Sequence, residues 1–277
     1  MRIRIAHETR YTYDQPARSV CQVLRLTPRP HDGQHIVHWR VDLDADARIT
    51  QGEDAFGNII HSVVADKPVR AMTLSVTGEV DTTDSHGLLA GVLERLAPAV
   101  YLRPTPFTEL DTALAAFADE SGSAASDPLG QMHALMQAIH GKVAFDTRAT
   151  TVATSAAQAF AQGRGVCQDL SHVFIACARR LGVPARYVSG HLARADGVVE
   201  QEASHAWAEA FIQDLGWVGF DVANGICPNA QHVRVATGFD YLGAAPVRGT
   251  RAGGGVEHLN VRLRVSGGGT VQTQSQG

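Results

Sequence analysis

With 277 residues, 44% of them hydrophobic, the chain can fill a sizeable core and is long enough for one large or two ordinary domains. Its formal net charge of −4 comes without any run of like charges, which disfavours nucleic acid and acidic membrane surfaces as partners. The opening stretch Met1–Glu8 alternates like a strand and has no apolar leader segment, and no later stretch approaches the roughly 20 apolar residues of a spanning helix, so a soluble, unexported, cytoplasmic protein is expected.

From Met1 to about Val80 the pattern is one of short alternating runs: Arg2–Ile5, Ile36–Leu43, Ile59–Val64 and Met72–Val80. Pro28, Pro30, Asp32-Gly33, Gly52 and Gly57-Asn58 punctuate them as turns, and residues 1–80 read as an antiparallel β-domain, a small sandwich. Residues 81–107 contain Gly87, Gly91, Pro98, Pro104 and Pro106 and read as a connector. Its apolar patch Leu88–Leu93 needs cover, so the β-domain is expected to pack against the C-terminal core.

Residues 108–265 read as an α+β core, helices first and antiparallel strands after. Thr108 is expected to cap a helix running to about Glu120. Asp127-Pro128, an N-cap followed by a first-turn proline, opens a second helix to about Gly141. Thr154 or Ser155 opens a third, ending at Gly163, and a fourth begins at Cys167 and ends at Gly182 with Pro184 beyond. Strands are expected at Ala185–Leu192, His205–Ile212, Trp217–Val222, Val233–Val235 and Val256–Val265. Residues 266–277 are rich in Gly, Ser, Thr and Gln and read as a disordered tail.

The four cysteines, Cys21, Cys167, Cys177 and Cys227, form no Cys-x-x-Cys pair and suggest neither a disulfide framework nor a zinc site. Cys167 and Cys177 lie ten apart on one helix, about 15 Å, too far to share a bond or a metal. This usage suits a reducing cytoplasm. No metal or organic cofactor is implied.

Cys167 stands apart because Gly163-Arg164-Gly165-Val166 leads straight into it and an apolar helical run to Leu181 follows. A cysteine where a glycine-rich loop becomes a helix lies in the field of the helix N-terminus, which favours the thiolate, the nucleophilic form. Downstream, Ser204-His205-Ala206-Trp207 opens one strand and Gly216-Trp217-Val218-Gly219-Phe220-Asp221 closes the next, giving Cys, His and Asp in chain order. His172 is five residues beyond Cys167 on the same helix, about 140° around it, and cannot face the thiol. His140, His191 and His232 each read as surface or satisfied-core histidines.

The segment from Gly165 to Gly225 resembles the core of the transglutaminase-like superfamily, whose papain-like sites carry Cys, His and Asp on a helix and two strands. The wider chain is similar to the bacterial transglutaminase-like proteins with a β-rich N-terminal domain, through Leu24–Arg29, Asp54-Ala55-Phe56-Gly57-Asn58, Asp240-Tyr241 and Pro246–Gly249. The resemblance implies a papain-like α+β core with Cys167, His205 and Asp221 as catalytic residues. It departs from the family at Val222-Ala223-Asn224 where Pro-Thr-Asn is usual, at Phe239 and Gly243 in the later Gly-Arg-Asp-Tyr motif, and at His191 where a tyrosine is common. The triad positions are untouched; substrate contacts need not be.

Asp169, Gln168 and Trp207 are the substrate-binding candidates. Asp169 is either a first-turn acid stabilised by the helix dipole or a partner for Arg164 or a substrate amine. The oxyanion hole is not readable from the sequence: the Cys167 N–H is the natural donor and Gln168 a second candidate, while Trp207, like Trp217, reads as a core or wall residue. A tight turn at Asp214-Leu215-Gly216 would place Asp221 opposite Glu209 and leave His205 about 13 Å away. A turn centred near Gln213 or a bulge in the second strand is therefore expected, with Glu209 as the fallback orienting group.

The function expected is thiol-dependent acyl transfer on peptide or carboxamide bonds of a peptide or protein substrate, through a thioester. Hydrolysis is favoured because water needs no second substrate site. An amine-accepting transglutaminase, and a binding or scaffold module with an idle triad, are the alternatives. The sequence leaves the oligomeric state open.

Overall fold

The computed structural model describes residues 1–268. Its spine is β1 (Arg2–Thr27), a single 26-residue strand. Odd-numbered residues such as Ile3, Ile5, Tyr11, Tyr13 and Ala17 are buried in its first part, and even-numbered Val20, Leu24 and Leu26 in its second. The phase changes because register shifts between Thr12 and Ala17 and between Ala17 and Ser19 insert irregular residues around Pro16, and each extra residue turns the following side chains to the other face.

After β1 come β2 (Gln34–Asp44), β3 (Arg48–Glu53), β4 (Ile59–Ala65) and β5 (Val69–Thr82), all in one antiparallel sheet with it. β6 (Leu88–Leu89) and a 3₁₀ turn at Pro98–Leu102 form the connector. Helices α1 (Thr112–Gly122) and α2 (Pro128–Lys142), the short β7 (Ala144–Phe145), α3 (Ala156–Gln162), β8 (Arg164–Gly165) and α4 (Cys167–Arg180) follow. Next are β9 (Ala185–Leu192), β10 (Glu200–Gln201), β11 (His205–Ile212), β12 (Gly216–Phe220), β13 (His232–Gly238) and α5 (Tyr241–Ala244). β14 (Val247–Gly253) and β15 (Glu257–Gly268) end the described chain.

The expected helices form, with one change of cap. Asp111, not Thr108, caps α1 by accepting from the Leu114 N–H at 2.7 Å, because the Thr108 hydroxyl is engaged by Thr105 and by the buried Arg179. Asp127 and Ser155 cap α2 and α3, and Gly163 at φ 64° ends α3 in the left-handed conformation that favours glycine.

α4 is the central helix. Every residue from Gln168 to Arg179 is buried, against α1, α2 and α3 on one side and the sheet β13-β9-β11-β12-β6 on the other. The arrangement is α+β.

The chain's last strands correct the expected division of the sequence. β14 and β15 fall within the stretch assigned to the core, yet both pair antiparallel with β1 and complete the N-terminal sheet. Ser266 and Gly267 of the expected tail pair with Arg4 and Ile3, while residues 269–277 lie outside the described residues.

The β-domain and the core share one apolar cluster in which Ile3, Ile5, Val80, Leu263 and Val265 meet Leu170, Val173 and Phe174 of α4. Two side-chain amides bind across the boundary as a strand would. Gln34 bonds both the carbonyl and the N–H of Arg234 (2.9 and 2.7 Å), and Asn58 does the same to Thr237 (2.7 and 2.8 Å). Asn58 is aimed by Asp54, whose carboxylate accepts from the Phe56 and Asn58 N–H groups, the Asn58 amide and Arg25. The N-terminal motifs around Arg25 and Asp54–Asn58 therefore dock the two parts together. The connector patch joins the core by pairing β6 with β12; Leu89 and Val92 are half-buried, but Leu88 and Leu93 remain 44% and 49% exposed, so the cover expected is only partial.

Beneath β11 lies a buried ion network. Glu209, expected as a fallback orienting group, accepts from Arg186 at 2.6 Å and Arg234 at 2.8 Å instead, and Arg186 also grips Glu94 and stacks 3.8 Å from the Trp217 ring centroid. Burial resists the charge on Glu209, but Arg234 and Arg186 outweigh it and hold the carboxyl at about 2. A carboxylate depressed on folding contributes stability above its ordinary value of 4.5 and loses it as pH falls toward 2. Glu209→Gln should therefore lower stability at pH 7 by about 3–5 kcal/mol, as when one member of a buried pair is removed. Its difference from the native chain should shrink below about pH 4. Thermal unfolding across pH checks this, and an unchanged melting temperature at pH 7 would refute it.

Candidate active site

Cys167 is the first residue of α4 and is half-buried. The loop before it is fixed by β7 pairing in parallel with β8, and by Asp169. Asp169 Oδ2 accepts from the Val166 N–H at 2.8 Å and from the Thr150 hydroxyl at 2.6 Å, tying the loop to the start of its own helix. This close approach explains Gly165: a Cβ there would lie 2.7 Å from the Asp169 Cβ.

Asp169 is 0% exposed, and burial raises its carboxyl against the pull of those two hydrogen bonds. It therefore presents nothing to a substrate, contrary to the substrate-binding expectation, and it does not meet Arg164, whose nearest acid is Asp146 at 3.8 Å. Gln168 is buried too, its amide donating to the Val152 carbonyl at 3.3 Å. Trp207 is 2% exposed and forms wall rather than surface, packed edge-on to His232 at 5.4 Å between ring centroids.

His205 opens β11, and Asp221 follows the last residue of β12. Ile212 pairs with Gly216 and Ala208 with Phe220, so the hairpin turns about Asp214, at φ 68°, with a regular ladder. The expected bulge is absent from these pairs, and the turn centres on Asp214, one residue past Gln213. Continuing the register sets Asp221 opposite Trp207, so His205 is the diagonal neighbour on the same face, close enough for an extended side chain to reach. His205 Nε2 meets Asp221 Oδ2 at 2.7 Å.

Asp221 is 0% exposed, and its Oδ2 has two further partners: His232 Nε2 at 2.9 Å and the Asn224 amide at 2.7 Å. The chain after β12 loops back so that Asp221 and Ile226 bridge, which brings Asn224 over the carboxylate. Burial opposes ionisation of Asp221, but His205 and His232 overcome it and hold the carboxyl far below the usual range. Burial likewise resists charge on His205, and the Asp221 carboxylate and its hydrogen bond, with Cys167 nearby, raise the imidazole to about 10. Cys167, His205 and Asp221 are thus brought together, the first at the start of α4 and the other two on the sheet against which that helix packs.

The other histidines separate into packing and support. His172 is 0% exposed, pushed by burial down to about 3, and its Nε2 accepts from the Tyr241 N–H. His191 is also held neutral by burial, at about 3, beside His7 and Trp39. His140 bonds the Val222 carbonyl at 3.0 Å, next to Asp221. His232 and Asn224, both on Asp221, were not among the expected site residues. Nothing local distinguishes His232 in sequence; it becomes visible only once β13 is placed two strands from β11, with β9 between.

His205, Asp221 and His232 are also the grouping among the described residues whose ligand atoms are close enough for a metal ion. The donor chemistry does not fit one. The Asn229 N–H donates to His232 Nδ1 at 3.1 Å, which puts the ring proton on Nε2 and leaves no lone pair there for a metal.

Residues 3–81 match the family model of the bacterial transglutaminase-like N-terminal region, and residues 115–222 match that of the transglutaminase-like superfamily. The chain joins a bacterial transglutaminase-like N-terminal region to a transglutaminase-like core. An uncharacterized protein of Mycobacterium leprae is 29% identical over 277 residues, covering 96% of this chain and 98% of its own length. One from Mycobacterium tuberculosis strain H37Rv is 29% identical over 272 residues, covering 90% and 87%. The crystal structure of a candidate cysteine protease from Cytophaga hutchinsonii superposes with a TM-score of 0.77 at 22% identity, over 96% of this chain and 90% of that one, and shows the shared fold. In this transglutaminase-like chain the superfamily match ends at Val222, just past Asp221, so Asn224 and His232 lie beyond it.

The Asp169 clamp gives a stability prediction. Asp169→Ala should cost about 1–2 kcal/mol, the usual penalty for losing a helix-start acceptor. Gly165→Ala, whose added methyl would collide with Asp169, should also destabilise. Urea unfolding of both variants checks this, and native-like midpoints would show that the loop is held by something else.

Proposed function

We propose that the protein is a thiol-dependent acyl-transfer enzyme, a cysteine protease or amidase acting on peptide or carboxamide bonds. The supporting observation is the 2.7 Å pairing of His205 with Asp221 on the sheet that packs against α4, the buried helix that Cys167 opens, with the thiol near enough to favour the charged imidazole. In this reading the Cys167 sulfur attacks the carbonyl carbon as a thiolate, with the proton held on His205. The backbone N–H groups of the first turn of α4 have no intrahelical acceptor, and that of Cys167 is available to the developing oxyanion. His205 then protonates the leaving nitrogen, the C–N bond breaks, and a thioester remains on Cys167.

Water activated by His205 hydrolyses the thioester and returns the thiol; an amine in place of water would form a new amide. We favour water as acceptor because it needs no second substrate site. Asp221 fixes the imidazole orientation and balances its charge. Asp169, Gln168 and Trp207 support this arrangement from beneath rather than contacting substrate. The four cysteines are free thiols, in keeping with a reducing compartment such as the cytoplasm, where a catalytic thiol stays usable.

Turnover of a peptide and isopeptide library, with and without added amine, tests the reading. Cys167→Ala should abolish turnover while leaving the fold intact. Asp221→Asn should lower the chemical step by about 10²- to 10⁴-fold, the range over which acid–base assistance acts. Release of free acid without amine identifies hydrolysis, and amide formation only with amine identifies aminolysis. Turnover retained by Cys167→Ala would end the proposal.

A further inference from the structure

Asp221 is held by two histidines, and the proposed chemistry uses only one. His232 opens β13 and is 6% exposed, with both ring nitrogens engaged in directional bonds. Nδ1 accepts from the Asn229 N–H at 3.1 Å, and the Asn229 side-chain oxygen lies 3.3 Å from the same nitrogen. The N–H bond fixes the neutral tautomer with its proton on Nε2, and that proton is donated to Asp221 Oδ2 at 2.9 Å. Neither nitrogen faces the thiol, so His232 is no second base.

The surroundings hold this imidazole in place. Trp207 packs edge-on to it, and Trp207 in turn occupies the space left open at Gly190, where a Cβ would fall 2.5 Å from the indole ring. The charged and titratable groups around His232 are Asp221 and His205 on one side. Across a small cavity lie His31, Glu209 and Arg234, of which Glu209 is already paired with Arg186 and Arg234. No other carboxylate competes for its proton there.

We propose that His232 is a positioning residue of this site: locked as the Nε2–H tautomer by the Asn229 main chain, it anchors the Asp221 carboxylate so that His205 meets Cys167 in one orientation. The inference rests on the acyl-transfer reading above. A carboxylate can rotate about its Cα–Cβ–Cγ torsions, and each donor from a separate element removes some of that freedom. Asp221 has three: His205 from β11, Asn224 from the returning loop and His232 from β13. Without His232 only the first two remain, and the same oxygen then follows His205 rather than directing it. A buried imidazole serving as filler would have no need of this pair of directed bonds.

The test compares His232→Gln with His232→Asn and His232→Phe. A glutamine amide reaches the position of Nε2 and can still donate to Asp221, an asparagine amide reaches only the position of Nδ1, and phenylalanine keeps the ring without either. Expected are near-native kcat for His232→Gln and losses of about 10- to 100-fold in kcat for the other two, by analogy with the loss of hydrogen-bond partners behind metal-bound histidines, with KM little changed. Alkylation of Cys167 by iodoacetamide, followed by peptide mass spectrometry, should rank the variants in the same order without needing any substrate.

Equal losses in His232→Gln and His232→Asn that follow their melting temperatures would reduce His232 to a packing residue and overturn the assignment. So would an unchanged alkylation rate in His232→Asn and His232→Phe, or loss of native activity in EDTA with recovery on adding zinc. Retained turnover in Cys167→Ala, by contrast, would remove the acyl-transfer reading itself and this inference with it.

Discussion

A carboxylate with no contact with water must be matched by donors, and Asp221 is matched by four. His205, His232 and the Asn224 amide converge on Oδ2, and the Asn224 N–H reaches Oδ1 at 3.3 Å. An unmatched charge at that depth would neutralise or unfold its surroundings. The donors come from β11, from β13 and from the loop after β12, so satisfying one carboxylate fixes the relative placement of three segments. The high basicity of His205 follows from that placement, because the anion beside it cannot be screened by solvent.

Cys167 is positioned by a second buried acid. Asp169 closes the loop onto the helix that carries Cys167, and that helix is enclosed on both sides, so the sulfur has little freedom relative to the sheet holding His205. Farther out, β1 binds both ends of the described chain into one sheet, and Gln34 and Asn58 pair with the β13 backbone at Arg234 and Thr237. β13 begins with His232. The N-terminal sheet is thus linked through a single strand to the residue that steadies Asp221.

Much of this was legible in sequence where the signal is local. Asp127, Ser155, Gly163 and Gly182 mark helix ends through caps and turn conformations that need no partner, and the bounds of β9 and β11 follow from runs of small and apolar residues. What was not legible depends on partners. Thr108 and Asp111 are both plausible caps, and only the buried Arg179 decides between them by taking the threonine hydroxyl. The irregularity near Pro16 hides the continuity of β1 by reversing its alternation. Nothing in Val247–Gly268 announces that these strands return to β1.

At the site, the residue types and their order pointed to Cys167, His205 and Asp221, whereas the geometry expected between them was too strict. Direct opposition of His205 and Asp221 is unnecessary, since a diagonal contact across a regular hairpin suffices. Asp169, Gln168 and Trp207 looked like substrate contacts because they adjoin the reactive residues in sequence. Burial shows them to be the framework beneath. Among the family departures, Phe239 has a structural counterpart: it packs on Phe56 and Tyr101, and its carbonyl accepts from Arg179.

The central claim is that the Cys167 sulfur carries the acyl group during turnover. Acid-quenching the protein with a slowly turned-over peptide ester and mapping the adduct by peptide mass spectrometry measures this directly. The account predicts an acyl group confined to the peptide containing Cys167, with its yield collapsing when His205 is replaced by alanine. Steady turnover with no covalent adduct under those conditions, or an adduct on Cys21 or Cys227 instead, would contradict it.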